Sequence, residues 1–193
     1  MEIQDLDAKD EQHVRQVAAL LVEGFREQWP TAWPTLELAL HEVHESLGEG
    51  RISRIAVDST GTVLGWIAGE RQYHGHSWEL HPLVVRAGHQ SKGIGRALVQ
   101  DFEEQVSRQG ASTIWLGTDD EAKRTSLGGV DLYPNVLEQA ANIKNLRGHP
   151  YEFYQRLGYV IVGVLPDANG PGKPDILMAK RVDRAGSPSG LRP

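Results

Sequence analysis

The amino-acid sequence predicts one α+β domain, and three observations carry that reading. Two amphipathic helical stretches come first, a set of short β-rich segments follows, and one of these runs through a glycine-rich turn into a long amphipathic helix. In chain order, Glu11 to Phe25 places Val14, Val17, Ala18, Leu21 and Phe25 on one helical face. Thr35 to Leu47 does the same with Leu36, Ala39, Leu40, Val43 and Leu47. Arg51 to Val57 and Val63 to Glu70 are β-rich runs parted by Asp58-Ser59-Thr60-Gly61, the composition of a hairpin turn. Trp78 to Val85 is the next strand, and the helix after the turn runs to Gly110 with Ile94, Ala97, Leu98, Phe102 and Val106 on its apolar face. Thr113 to Thr118 follows as a strand. Pro150 to Leu157 reads as a short helix opened by proline and closed by Gly158, and Tyr159 to Leu165 with Ile176 to Arg181 are the last two strands. About thirty residues, Asp119 to Gly148, separate the Thr113 strand from the short helix, with a helical stretch around Asn135 to Ile143. The domain is expected over residues 1–182. Residues 183–193 have no apolar face and read as a disordered tail.

Composition narrows the function classes. The chain has 193 residues, 39% hydrophobic and 24% charged, which is ordinary for one globular domain with a single core. No run approaches the ~20 apolar residues of a membrane span, and no basic region followed by an apolar stretch opens the chain, so neither insertion nor signal-directed export is expected. The absence of cysteine rules out disulfides, thiolate catalysis and cysteine metal sites, and it suits a cytoplasmic protein. A net charge of −6 argues against nucleic acid, whose binding leans on lysine and arginine. The histidines pair only as His41/His44 and His74/His76, a weak pattern for ligation, and no metal is expected.

The segment from Leu83 to Arg96 carries the chemistry. An apolar strand, Leu83-Val84-Val85, leads into Gln90-Ser91-Lys92-Gly93-Ile94-Gly95-Arg96, which opens directly onto a helix. Glycines let the backbone approach a ligand, and the first free N–H groups of the helix point outward with the positive end of its dipole behind them. A pyrophosphate fits such a site. The commoner phosphate loops are excluded by spacing: in a P-loop the lysine follows the second glycine, whereas here it precedes one, and Leu98 stands where a dinucleotide fingerprint needs its third glycine.

What remains is QxxGxG after an apolar strand, which resembles the acetyl-CoA signature of the GCN5-related N-acetyltransferases (GNAT). The likeness extends from about Trp78 to Lys180 through Trp78-Glu79-Leu80-His81-Pro82, Leu116-Gly117-Thr118-Asp119-Asp120, His149-Pro150-Tyr151-Glu152-Phe153-Tyr154, Leu157-Gly158-Tyr159 and Val162-Gly163-Val164-Leu165-Pro166, then Asn169-Gly170 and Lys173-Pro174-Asp175-Ile176. In this order the blocks are similar to the aminoglycoside 6'-N-acetyltransferases. Residues 1–77 match only in layout. The resemblance implies a GNAT fold: a mixed, mostly antiparallel sheet of about seven strands with a splayed strand pair at the acetyl-CoA site. It further implies transfer of an acetyl group from acetyl-CoA to the 6'-amine of an aminoglycoside, a resistance activity, in a cytoplasmic homodimer.

The resemblance also assigns roles. Acetyl-CoA is held by His81, Leu83, Val84 and Val85, by the Gln90, Ser91, Lys92, Gly93, Ile94, Gly95 and Arg96 loop, and by Tyr154. The Leu83 N–H lies near the thioester oxygen. Glu79 is the candidate base, acting directly or through water, or else an anchor for the ammonium group. Strand alternation puts Glu79, His81 and Leu83 on one face, and Pro82, which cannot donate to a ladder, points to a local irregularity there. Tyr154 either protonates the departing thiolate or orients the thioester. Tyr151 and Phe153 read as packing. For a polycationic acceptor, Trp29, Tyr73, Glu79, Asp119 and Asp120 are the candidate contacts, and the 119–148 crossing is either an acceptor-side wall or a surface excursion or dimer contact. Acetylation of another amine, such as a polyamine or a protein amine, and a non-catalytic acyl-CoA-binding module are the alternatives.

Overall fold

The computed structural model describes residues 1–27 and 29–182, so the expected tail at 183–193 lies outside the described residues. These residues form two compact units, one of Met1–Ile114 with the chain from Arg181 and one of Trp115–Lys180. Among the described residues the α+β fold has seven strands flanked by helices: the first four in chain order lie side by side in sequence order in the first unit, and in the second unit the fifth is followed by the seventh and then the sixth.

In the first unit, β1 (Glu2–Asp5), α1 (Glu11–Phe25), α2 (Leu36–Glu45), β2 (Arg51–Val57), β3 (Val63–Gln72), β4 (Ser77–Val85) and α3 (Ile94–Arg108) succeed one another, with a tight 3-10 turn, Tyr73–Gly75, between β3 and β4. Only β1 lacked a sequence signal, because four residues are too few to show a period. The α1 helix starts where the Asp10 carboxylate accepts the His13 N–H at 3.1 Å, and α2 where the Thr35 hydroxyl accepts the Leu38 N–H at 3.3 Å. The stripe of α1, Val14, Val17, Ala18 and Leu21, packs with Ala39 and Val43 of α2 over Ile55, Trp66, Ala68 and Val84. The opposite face of the sheet carries α3. A Cβ on Gly69 would collide with the Phe102 ring, and one on Gly65 would press on Leu98, so both glycines let this helix approach β3 closely. Arg54 ties three elements together: it binds both oxygens of Asp101 on α3 at 2.7 and 3.0 Å and Asp5 of β1 at 2.6 Å.

The β1-β2-β3-β4 ladder is antiparallel throughout, and one irregularity shapes the site. Leu80 pairs with Gly69 and Leu83 with Ile67, so His81 and Pro82 together oppose the single residue Ala68. This is the bulge anticipated at Pro82, and the His81–Pro82 peptide is cis.

Most of β5 (Thr113–Asp119) belongs to the second unit, with α4 (Val136–Ala141), α5 (Tyr151–Gln155), β6 (Val160–Leu165) and β7 (Asp175–Arg181). β6 and β7 form an antiparallel hairpin. The 119–148 crossing is internally tied: Asp120 accepts the Thr125 hydroxyl at 2.7 Å and N–H at 2.9 Å, Leu146 N–H reaches the Arg124 carbonyl at 2.8 Å, and Arg147 binds the Lys123 carbonyl at 2.6 Å. Its helix, α4, lies within the 135–143 stretch expected. Among the described residues, no helix is long and apolar enough to cross a membrane.

Candidate active site

The turn after β4 is built for an anion. Gly93, at φ +88°, caps α3 with no side chain closing the helix end, and the first intrahelical bond runs from Ala97 N–H to the Gly93 carbonyl at 3.0 Å. The N–H groups of Ile94, Gly95 and Arg96 therefore precede the ladder and have no side-chain cap. A Cβ on Gly93 would meet nothing within 4 Å, so the glycine is not required by packing. Its conformation and the open space in front of the helix end are what need it. Ser91 is also left-handed, at φ +60°, and Ser91, Lys92 and Arg96 are exposed. The turn is anchored at its entry, where the Gln90 amide donates to the Val85 carbonyl at 3.3 Å and Arg86 donates to the Val63 carbonyl at 2.8 Å. Uncapped backbone donors and the positive end of the helix dipole face open space here, and Lys92 and Arg96 are exposed beside them, a combination that suits an anion.

The bulge corrects one expectation on β4. Cross-strand partners share a face, so Glu79, paired with Glu70, and Leu83, paired with Ile67, lie on opposite faces, because Glu70 and Ile67 are an odd number of residues apart. Glu79 and His81 do not share their face with Leu83. The extra residue at His81–Pro82 inverts the alternation that an unbroken strand would keep. The pairing of β4 with β3 is interrupted immediately before Leu83.

Around Glu79 the sheet assembles charge. Burial raises its carboxyl above the usual carboxylate range, the neighbouring Glu70 carboxylate raises it further, and Arg51 opposes both. Beside it an aromatic group forms on the α1–α2 side. The His81 ring lies 5.9 Å from Trp33, Trp33 lies 6.3 Å from Trp29 and 4.8 Å from Phe25, and the Trp33 indole N–H reaches Glu42 at 3.4 Å. Trp29, half-buried, is thus joined to β4 through Trp33, a residue the sequence reading missed. Its signal was the repeated Trp-Pro pair, Trp29-Pro30 and Trp33-Pro34. Tyr73 sits at the tip of the β3–β4 connection, highly exposed and at φ +47°.

In the second unit, Asp119, which ends β5, and Asp120, which follows it, part company. Asp119 receives the Asn169 side-chain amide. Asp120 is wholly buried and its oxygens accept the backbone N–H groups of Arg124 and Thr125 and the Thr125 hydroxyl, so this residue, expected among the acceptor contacts, builds the turn instead. His149 accepts the Tyr151 N–H at its Nδ1, 3.3 Å, which leaves the proton on Nε2 to donate to the Asp119 carbonyl at 3.0 Å. Burial holds it below the usual histidine range, in keeping with a neutral ring. Tyr154 is buried edge-on to Tyr159, with ring centroids 5.7 Å apart, and burial pushes its phenol well above the ordinary value. It therefore keeps its proton at neutral pH. Tyr151 is buried against His149. Among the described residues, no three His, Asp or Glu side chains gather as metal ligands.

The chain belongs to the acetyltransferase (GNAT) family, whose model matches residues 14–128. Among solved structures it is similar to an aminoglycoside 6'-N-acetyltransferase complexed with coenzyme A, with 41% identity, a TM-score of 0.87 and coverage of 97% of this chain and 100% of that one. The aminoglycoside 6'-N-acetyltransferase from Enterococcus faecium matches with 41% identity, the same coverages and a TM-score of 0.85. An aminoglycoside 6'-acetyltransferase type Ii matches at 35% identity with a TM-score of 0.72 and again the same coverages. No curated protein matches.

Proposed function

We propose that this acetyltransferase transfers an acetyl group from acetyl-CoA to the 6'-amine of aminoglycosides. The observation that carries the reading is likeness along the whole chain: 97% of it aligns at 41% identity with the full length of an aminoglycoside 6'-N-acetyltransferase that holds coenzyme A. The likeness includes the acceptor half, residues 1–77, which the sequence motifs alone left open. The match of the family model over 14–128 runs through both compact units and supports reading residues 1–182 as one N-acetyltransferase domain.

In this reading, the loop from Gln90 to Arg96 takes the diphosphate, and the backbone of β4 at His81, Leu83, Val84 and Val85 takes the arm bearing the thioester. Glu79 accepts a proton from the acceptor's ammonium group, and the freed lone pair attacks the thioester carbon. The Leu83 N–H stabilises the negative charge on the thioester oxygen. The nitrogen of the tetrahedral intermediate gives up its second proton, the carbon–sulfur bond breaks, and the thiolate takes up that proton to leave as coenzyme A. A phenol is ordinarily less acidic than a thiol and burial widens the gap, so it stabilises the thiolate chiefly as a hydrogen-bond donor, and this is the role we give Tyr154. Trp29, Trp33, Tyr73 and Asp119 serve the acceptor. The enzyme works in the cytoplasm as a homodimer. The dimer is supported by β6, the last strand in the order, whose Val160, Val162 and Leu165 are 60%, 59% and 54% exposed.

The test compares acceptors that differ at one atom. Kanamycin-type and tobramycin-type compounds with a 6'-amine are expected to release coenzyme A, whereas analogues with a 6'-hydroxyl keep the rings and most of the charge but lack the nucleophile and are expected to be inert. Turnover of a polyamine or peptide with both aminoglycoside sets inert would replace the proposal with acetylation of another amine.

A further inference from the structure

Glu79 does not stand alone on the sheet. Arg51 of β2 pairs in register with Glu70 of β3, and Glu70 pairs in register with Glu79 of β4, so the three side chains form a row across adjacent strands on one face. The contacts agree with the register. Arg51 Nη2 lies 2.7 Å from Glu70 Oε2, the Gln72 amide donates to Glu70 Oε1 at 2.7 Å, and the same amide lies 3.5 Å from Glu79 Oε2. Both oxygens of Glu70 are therefore occupied, and its position is fixed from two sides. Like charges directly opposite on neighbouring strands destabilise a sheet, so an ordinary surface would place a neutral or cationic residue across from Glu79. Here the cation stands one strand further away.

We propose that Glu70, clamped by Arg51 and Gln72, is a positioning residue for Glu79, and that this row sets how readily Glu79 takes a proton from the acceptor's ammonium group. The proposal rests on the reading of Glu79 as the base. Proton transfer converts the acceptor's R–NH3⁺ and the Glu79 carboxylate into R–NH2 and a carboxylic acid. A fixed negative neighbour favours the protonated form of Glu79, which makes it the better base, and Arg51 opposes that effect. The charged groups acting on Glu79 from the neighbouring strands are Glu70 and Arg51. His81, on its own strand, turns to Trp33, and Glu42 of α2 is engaged by the Trp33 indole.

Two substitutions with opposite expected signs test the row. In carboxyl-labelled protein, the Glu79 resonance, assigned by its loss in Glu79→Gln, is titrated by NMR alongside the pH dependence of kcat/KM with kanamycin. Glu70→Gln is expected to move the Glu79 titration and the acid limb of kcat/KM to lower pH, and Arg51→Met to move both to higher pH. Loss of packing alone would move the two variants the same way. Unmoved titrations, or shifts of the same sign in both folded variants, overturn the proposal. Opposite shifts of the titration without any shift of the kinetic limb would leave the row standing and remove Glu79 as the base.

Discussion

At the scale of single residues, Glu79 joins activity to stability with opposite signs. Its folded-state proton affinity lies above the unfolded one, so the stability tied to its neutral form is fully present below the ordinary carboxylate range and is lost as pH rises through the higher folded value. Above the ordinary carboxylate range Glu79 therefore opposes folding. Glu79→Gln is expected to raise Tm at pH 7, with the gain vanishing toward the acid side of the carboxylate range, while kcat falls by ~10²–10⁴-fold, the usual contribution of a general base. Thermal melts at two pH values and steady-state kinetics on one preparation check both halves. A rise in KM with kcat intact would make Glu79 an anchor for the ammonium group. Asp120 shows the reverse case. Its neighbour in sequence, Asp119, ends β5, and no local pattern separates the two; only burial and the three donors around Asp120 reveal that its carboxylate is spent on the turn.

At the scale of elements, the β4–α3 connection concentrates the local chemistry of the chain. Gly93 and Gly61 provide a matched pair, since both have positive φ, +88° and +78°, and a Cβ on either would meet nothing within 4 Å. Gly61 lies in the β2–β3 hairpin turn, away from the helix end. Alanine at either position is expected to cost about 1–3 kcal/mol of backbone strain, read as similar losses of Tm. Only Gly93→Ala is expected to weaken acetyl-CoA binding, by about tenfold or more, because its Cβ enters the space in front of the α3 N–H groups. Calorimetric titration of both variants decides it, and equal affinities would remove the loop from the site. The bulge on β4 is the other decisive element. Proline at position 82 signalled an irregularity, but one proline does not state how many residues the opposite strand will set against it. That count, two against one, is what turns Leu83 away from Glu79.

At the scale of the whole molecule, assembly is the property to test. Val162 is 59% exposed on the terminal strand of the order, and lysine there is compatible with a solvated edge. Val162→Lys is expected to convert a dimer to a monomer with little loss of monomer stability, read by light scattering on a sizing column; a wild-type monomer would refute the homodimer. The sequence by itself determined the family and the nature of the donor site, because a strand, a glycine turn and a helix start are contiguous, and their backbone donors depend on little beyond local conformation. It also determined most element positions, from α1 to β7, since amphipathic period is a local property. The tertiary structure alone decided the rest. The row of Arg51, Glu70 and Glu79 joins residues that only strand register brings side by side, and Trp33 links Trp29 to His81 by packing between them. Register and packing are set by contacts distant in sequence, and one extra residue in a strand reverses every side chain beyond it, so neither can be read from neighbouring residues alone.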